Sequence, residues 1–513
     1  MLKTAMQCLM ALAIVGVTTS AVAQKSQDRM RIAFLDSTMT VAPYSSGSAE
    51  TIFLADGIFD NLLSYDEEAQ RYTPSLAKSY KIVDERTIDF ELKDNVVWQD
   101  GEKFDAEDVM YTLNWILNPK TKLRRRANWD FIARVEKLDG HKIRVVTKAP
   151  TPNLLESFAY ATYIFPEHIM APLDDKDTFG TKPVGTGMYR AQQFDRNTGA
   201  VLIKNPYYKH GGTAKAVNNI GRVDAVPVPD KGTQIAHMLR GELELLRNAQ
   251  LEQAEDLARD PRFKMTLKQG LSYIYLMFDA AGRSGLKPVQ DARVRKAMMM
   301  AVNREEVYKI RAGNHELPWG VPNALCWDFQ NSCSYSQKPP PYDPEGAKKL
   351  LAEAGYPNGF EIRISATNTV KDMAEVVIGQ LRKIGVRASL DSLTAAAFHA
   401  KQTNGEVNAL ITGWSAGGGP DVARTLNFFF EPGALDYIQD DRLHKLADLG
   451  VSIADEVKRK PVINEIMTRV NEMSYVMPVA PIPVVMLHTS ELTISPRKSF
   501  DIFGVSLSNL NWN

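Results

Sequence analysis

The chain has 513 residues, 44% of them hydrophobic and 24% charged, the make-up of an ordinary soluble globular protein with two or three domains. Lys plus Arg and Asp plus Glu both number 61, so the formal charge is zero, and no long-range field draws the chain to nucleic acid or anionic lipid. The basic run Lys122-Leu123-Arg124-Arg125-Arg126 reads as a solvated loop after a helix.

Lys3, the apolar run Leu9 to Val17 and the triplet Ala21-Val22-Ala23 form the pattern of a secretory signal cleaved after Ala23. The run is too short to span a bilayer comfortably, and Cys8 precedes it, which argues against a lipidated cysteine. A periplasmic protein, exported and released, is expected. Two cysteines then remain, Cys326 and Cys333. Export and an even count suggest a local disulfide, with two unpaired loop thiols as the alternative. The eight histidines are scattered, and none pair at the i, i+4 spacing of two ligands on one helix face. No metal site and no cofactor are expected.

Met30 to Leu35 reads as a short buried strand. Ile88, Phe90 and Leu92 alternate with Asp89 and Glu91, the pattern of a half-buried strand, turned back on Lys81 to Val83. Asp105 caps a helix with Asp108 at its third position. Val109, Leu113, Ile116 and Leu117 make the buried stripe, and Pro119 ends it. Asp139-Gly140 turns a second hairpin, completing a small α+β subdomain. KPVGTGMYR, Lys182 to Arg190, has two glycines that permit close backbone approach but no G-K-[ST] phosphate cradle; a tight turn before a strand is expected.

A strand over Ser272 to Phe278 precedes a helix whose Val294, Ala297, Met298 and Ala301 stack on one face, its Met run packing the core. Asn303 with Glu306 caps the next helix. From Tyr342 the chain alternates helix and strand: Asp343 to Gly355, Phe360 to Ile364, Met373 to Gly385, Val386 to Leu390, Thr394 to Gln402 and Val407 to Thr412. That alternation predicts an α/β lobe with parallel pairing, whose ligands bind beyond the carboxyl ends of the strands. Gly413-Trp414 stands at such an end.

Gly413-Trp414-Ser415-Ala416-Gly417 also spells G-x-S-x-G, the nucleophile elbow of serine hydrolases, with Asp436 and His444 or His488 following in hydrolase order. An elbow requires a helix directly after the serine, and Gly417-Gly418-Gly419-Pro420 opposes one. An open loop beside a flat aromatic face fits better. Trp414 offers that face, and Asp421 is either a counter-charge for a cationic group or a helix N-cap. An exported serine hydrolase using Ser415 is the alternative function.

Pro74 to Pro119, KPVGTGMYR, Gln290 to Arg295, YDPEGAKKLLAEAGYPNGF and LRKIGVRASL together resemble the bacterial extracellular solute-binding proteins of the peptide and nickel class, family 5, which serve ABC importers. The resemblance implies an α/β, two-lobed periplasmic-binding-protein fold that closes on its ligand. It implies a first lobe over 24–270 with the α+β subdomain at about 50–170, a second over 271–480, and a tail over 481–513 returning to the first. Its implied partners are a small peptide or peptide-like solute and the permease subunits of an ABC transporter, with the protein a monomer. Gly413 and Trp414 correspond to pocket residues. Gly417 occupies the place where peptide binders of the family carry an aspartate for the α-amino group. Either Asp421 takes that role, or the solute lacks a free N-terminal ammonium. Modified peptides, opines, oligosaccharides and metal chelates are further solute classes. Tyr44 and Tyr275 are the remaining pocket candidates, Tyr275 near the strand that crosses between lobes. Trp414→Ala is expected to weaken binding without unfolding the protein.

Overall fold

In the computed structural model, a ten-stranded sheet links the two lobes. Residues 25–35, 40–46, 48–66, 69, 71–123, 126–209, 217–328, 330–415, 421–495 and 505–513 are described. The expected signal segment with its cleavage site, Arg124, Arg125 and Gly417 lie outside them.

The sheet order is Arg387–Leu393, Glu361–Thr367, Ala409–Ser415, Phe263–Phe278, Val476–Thr489, Leu245–Leu246, Arg29–Phe34, Arg222–Pro227, Gly199–Lys204 and Tyr189–Asp195. Its two long members, Phe263–Phe278 and Val476–Thr489, pair antiparallel along most of their lengths. Their register slips midway, with a smaller shift between Ile274 and Tyr275. Gln269 faces Pro483 and Tyr273 faces Pro481, so Gly270, Leu271 and Ser272 stand against Ile482 alone. Such a bulge bends the ladder, and it tolerates prolines that a regular central strand rejects.

Cores form on either side of this slip. The first gathers residues between Met30 and Leu245 together with Val484, Met486 and the C-terminal Leu492, Ile494, Val505, Leu507, Leu510 and Trp512. Past the slip, the strands alternate with period two. Ile274, Leu276 and Phe278 face one second-lobe core, and Leu271, Tyr273, Tyr275 and Met277 face another. The expected helix–strand alternation is present. Glu361–Thr367 pairs parallel with both Arg387–Leu393 and Ala409–Ser415, with helices Lys371–Lys383 and Ala395–Thr403 in between. Ala409–Ser415 then pairs antiparallel with Phe263–Phe278, so the sheet is mixed.

In the first lobe, the strands Ala77–Asp84, Thr87–Leu92, Lys142–Thr147 and Ile132–Asp139 form a separate four-stranded sheet. Helix Ala106–Leu117 belongs to this subdomain and carries the expected capping box of Asp105 and Asp108. Cys326 and Cys333 are disulfide-bonded, closing a short loop between helices Arg304–Ala312 and Pro344–Glu353.

The two glycines of KPVGTGMYR lie against the backbone of Gly57 and Ile58. Gly187 N donates to Ile58 O at 2.8 Å, and Gln99 N donates to Gly185 O at 3.0 Å. The Gln99 side chain completes the seam, accepting from Gly185 N at 3.0 Å and donating to Tyr189 O at 2.6 Å. A Cβ on Gly185 would fall 1.9 Å from Ile58 O and 2.7 Å from Ile58 C. Neither is a side chain that can swing away. Gly185→Ala is therefore expected to destabilise the first lobe by about 3 kcal/mol, read as a lowered midpoint in thermal denaturation. A midpoint equal to wild type would show that the seam yields.

Candidate solute-binding site between the lobes

Strand Ala409–Ser415 outruns its neighbour: pairing with Glu361–Thr367 stops at Ala366 and Ile411, while pairing with Phe263–Phe278 continues to Ser415. Past Ile411 the strand continues beside Phe263–Phe278 as far as Ser415, at the carboxyl end of a parallel unit. Gly413 there is exposed. Trp414 pairs with Tyr273, and their rings lie 5.5 Å apart. Phe428 and Phe429 of helix Ala423–Phe430 stand 5.7 and 5.8 Å from the indole. Trp414 is 6% exposed and Phe428 49%. The aromatic wall is therefore packed at its middle and open at its end.

First-lobe residues reach this wall. Tyr65 joins the second-lobe core that holds Trp414, and Tyr72 and Tyr160 pack against it. Tyr65 and Tyr72 are cross-strand partners with rings 5.0 Å apart, and Tyr160 lies 6.2 Å from Tyr65. Beside them is Glu156, fully buried, whose Oε2 accepts from Asp421 N at 3.1 Å and whose Oε1 accepts from Arg424 Nε. Both donors belong to the second lobe. Burial pushes the Glu156 carboxyl above the ordinary carboxylate range, with Arg424 pulling it back and Asp421 adding to the rise. Burial also holds the Tyr72 phenol well above its usual value, with Glu156 and Asp421 as smaller contributors.

Asp421 does hold a cationic group, and that group is the protein's own. Its Oδ2 accepts from Arg459 Nη2 at 2.5 Å, and both side chains are buried. Its Oδ1 accepts from Ala423 N at 2.8 Å. Arg459 Nε donates to Ser332 Oγ at 2.7 Å, and Asn331 bridges to Asp421. Ser332 has φ of 63°, a left-handed backbone rare outside glycine, inside the loop that the disulfide closes.

Of the residues named from sequence, Gly413 and Trp414 stand together at the strand end. Tyr275 is two residues from Tyr273 on the neighbouring strand, buried, with its ring 5.0 Å from Phe429. Tyr44 lies apart from these residues. It is buried in the first-lobe core with its ring 5.1 to 5.4 Å from Trp115, Trp129 and Phe165, and its hydroxyl donates to Tyr163 O at 2.6 Å. The ring packs inward because helix Ala106–Leu117 and the segments carrying Trp129 and Phe165 supply aromatic neighbours. Glu156, Arg424 and Arg459 were not anticipated. They sit in no motif, and each acquires its partner only through contacts between segments remote in sequence.

The elbow reading fails on local geometry. Ser415 ends a strand, paired with Ser272, and the next described helix begins at Ala423; an elbow serine sits in the turn that feeds a helix directly. His444 Nε2 and Asp436 Oδ2 do meet at 2.8 Å, but Asp436 also accepts from Ile438 N and Gln439 N, the pattern of a side chain that orders a turn. His488 lies on the long strand at its first-lobe end, opposite Leu245, bonded to Thr266. Among the described residues, no group of three or more His, Cys, Asp and Glu could hold a metal ion, and no helix is long and apolar enough to cross a membrane.

The chain is 27% identical over 392 residues to the glutathione-binding protein GsiB of Salmonella paratyphi A (strain ATCC 9150 / SARB42), covering 74% of this chain and 73% of that protein. Among solved structures it superposes with TM-score 0.76 and 20% identity on a dipeptide binding protein from Pseudoalteromonas sp. SM9913 in complex with Met-Leu, over 94% of this chain and 100% of that one. NikZ from Campylobacter jejuni in complex with Ni(L-His) gives TM-score 0.76 and 20% identity over 94% and 99%. At these identities the structures show a shared two-lobed fold. The family model for bacterial extracellular solute-binding proteins, family 5 Middle, matches residues 71–436, well over half the chain and on both sides of the lobe junction, and the protein belongs to that family.

Proposed function

We propose that this protein is the periplasmic receptor of an ABC importer, closing its lobes on a peptide or peptide-like small polar solute and passing it unaltered to a membrane permease. The observation that carries the reading is the end of strand Ala409–Ser415. There the exposed Gly413 and the Trp414 wall stand where the long strands slip register and where first-lobe tyrosines meet the second lobe. A contact surface split between two bodies suits hinge closure around a guest. The lobes divide at 24–270 and 271–480 in this reading, with 481–513 returning to the first. The register slip at Gly270 to Ser272 and the packing of Val484, Met486, Leu492, Leu510 and Trp512 in the first core support that division. Gly413 and Trp414 contact the solute, and Tyr275 backs the wall through Phe429. The protein acts as an exported monomer, with its signal removed after Ala23.

Asp421 and Glu156 each already engage an arginine, so neither is a ready counter-ion for a solute ammonium. That favours a solute whose amino end is blocked, absent or held elsewhere. Small peptide-like solutes agree with relatives named for binding glutathione and a structural neighbour that holds Met-Leu.

Native mass spectrometry of freshly purified protein is expected to reveal a co-purified small solute. Adding the true solute at a hundredfold excess over its Kd is expected to stabilise the fold by about 2.7 kcal/mol, visible as a raised melting temperature. A flat melting temperature across glutathione, other short peptides, their N-acetylated forms and opines, with no bound mass, would refute the reading.

A further inference from the structure

Glu156 is the first-lobe carboxylate at the junction, and both donors it accepts from, Asp421 N and Arg424 Nε, come from the second lobe. Neither contact is local: the residues are separated by 265 and 268 positions. Glu156 closes the helical turn Leu154–Glu156, just before the single wide turn Ser157–Ala161 that carries Tyr160. On the other side, Arg424 lies in the first turn of helix Ala423–Phe430, and Asp421 is fixed from behind by Arg459. The acceptor and its donors are thus each anchored within their own lobe. Tyr72 is a further first-lobe group beside it, its phenol feeling Glu156, Asp421 and Arg424.

We propose that Glu156 is a positioning residue, whose contacts with Arg424 and the Asp421 amide form an interlobe latch that favours the closed arrangement whether or not a solute is present. The latch consists of protein groups alone, so its contribution to closure needs no guest. Opening the lobes would return Glu156 and Arg424 to water, which offsets much of the attraction between them. That balance keeps closure reversible. The directional requirement remains: a closure that misaligned the lobes would bury the Glu156 carboxylate without its donors, which is strongly disfavoured. The latch therefore selects one closed geometry and adds little to overall stability. It rests on lobe closure as the mode of solute capture, but its test requires no solute.

Small-angle X-ray scattering of solute-free wild-type, Glu156→Gln, Arg424→Gln and the double variant reads the open-to-closed balance directly. Gln at 156 keeps the volume and an acceptor for the Asp421 amide while removing the charge that Arg424 meets. Each single variant is expected to increase the radius of gyration, with the open-to-closed ratio rising about tenfold, on the order of 1.4 kcal/mol. The double variant should open no further than either single one, since both remove the same contact. Circular dichroism and the melting temperature should stay close to wild type. Wild type and both folded single variants giving identical scattering curves would overturn the latch, as would a double variant whose opening equals the sum of the two. If one single variant fails to fold, the other decides. A negative outcome leaves solute capture standing, and failure to find a solute leaves the latch standing.

Discussion

Arg459→Met is expected to lower stability by about 3–5 kcal/mol, because it strands the Asp421 carboxylate in a site with almost no solvent. The side chains of Arg459 and Asp421 are 2% and 3% exposed. The methionine fills much of the volume, so the loss is electrostatic rather than a packing defect. It also removes the donor to Ser332 Oγ, a residue held in a left-handed backbone within the disulfide loop. At about 2–4 °C per kcal/mol for an unfolding unit the size of one lobe, the melting temperature should fall by roughly 10 °C. Asp421→Asn in the Arg459→Met background should recover much of the loss, since the buried charge is gone while Ala423 N keeps an acceptor. Such rescue is the signature of a coupled pair. A single-variant loss below about 1 kcal/mol, or no rescue in the double variant, would show that water reaches Asp421 and that the site is less buried than it stands here.

Trp414→Ala has two expected consequences. The indole packs among Tyr273, Phe428 and Phe429 at 5.5 to 5.8 Å between ring centroids and is 6% exposed. Truncating a buried tryptophan removes its transfer free energy and leaves a cavity, at about 3–5 kcal/mol. The sequence reading expected binding to weaken with the fold untouched; the packing argues that stability falls as well. The second consequence is lost affinity, on the order of 2 kcal/mol or more for an aromatic anchor at the centre of a contact. The two separate experimentally. The melting temperature without solute reports packing, and its rise on adding the solute found by mass spectrometry reports binding. Trp414→Phe should restore most of the first and less of the second. An unchanged solute-induced rise in Trp414→Ala would place the solute elsewhere and remove the proposed site.

Where local chemistry decided structure, the sequence was readable. Asp105 and Asp108 form their capping box because both partners lie within one helical turn. The helices and strands from Asp343 to Ser415 follow from apolar periodicity and from glycines at the helix ends. Strand Val476–Thr489 was not readable, since Pro478, Pro481 and Pro483 argue against a central strand. Pro481 and Pro483 are tolerated because they flank the main register slip, and Pro478 borders the smaller shift at Ile274 and Tyr275. The opening of Phe263–Phe278 was missed for a related reason: its first half takes its place only by pairing with residues more than two hundred positions away.

The sequence by itself determined the α/β alternation and the strand leading to Trp414, because these rest on interactions between neighbours along the chain, while the family followed from the resemblance of several blocks. The tertiary structure decided the charges. Asp421 became the partner of Arg459 rather than a waiting counter-ion, Tyr44 turned inward to an aromatic core, and Glu156 met Arg424 across the lobes. A buried charge takes whichever opposite charge the fold brings within reach, and that distance is a property of packing in space, which no spacing along the chain encodes.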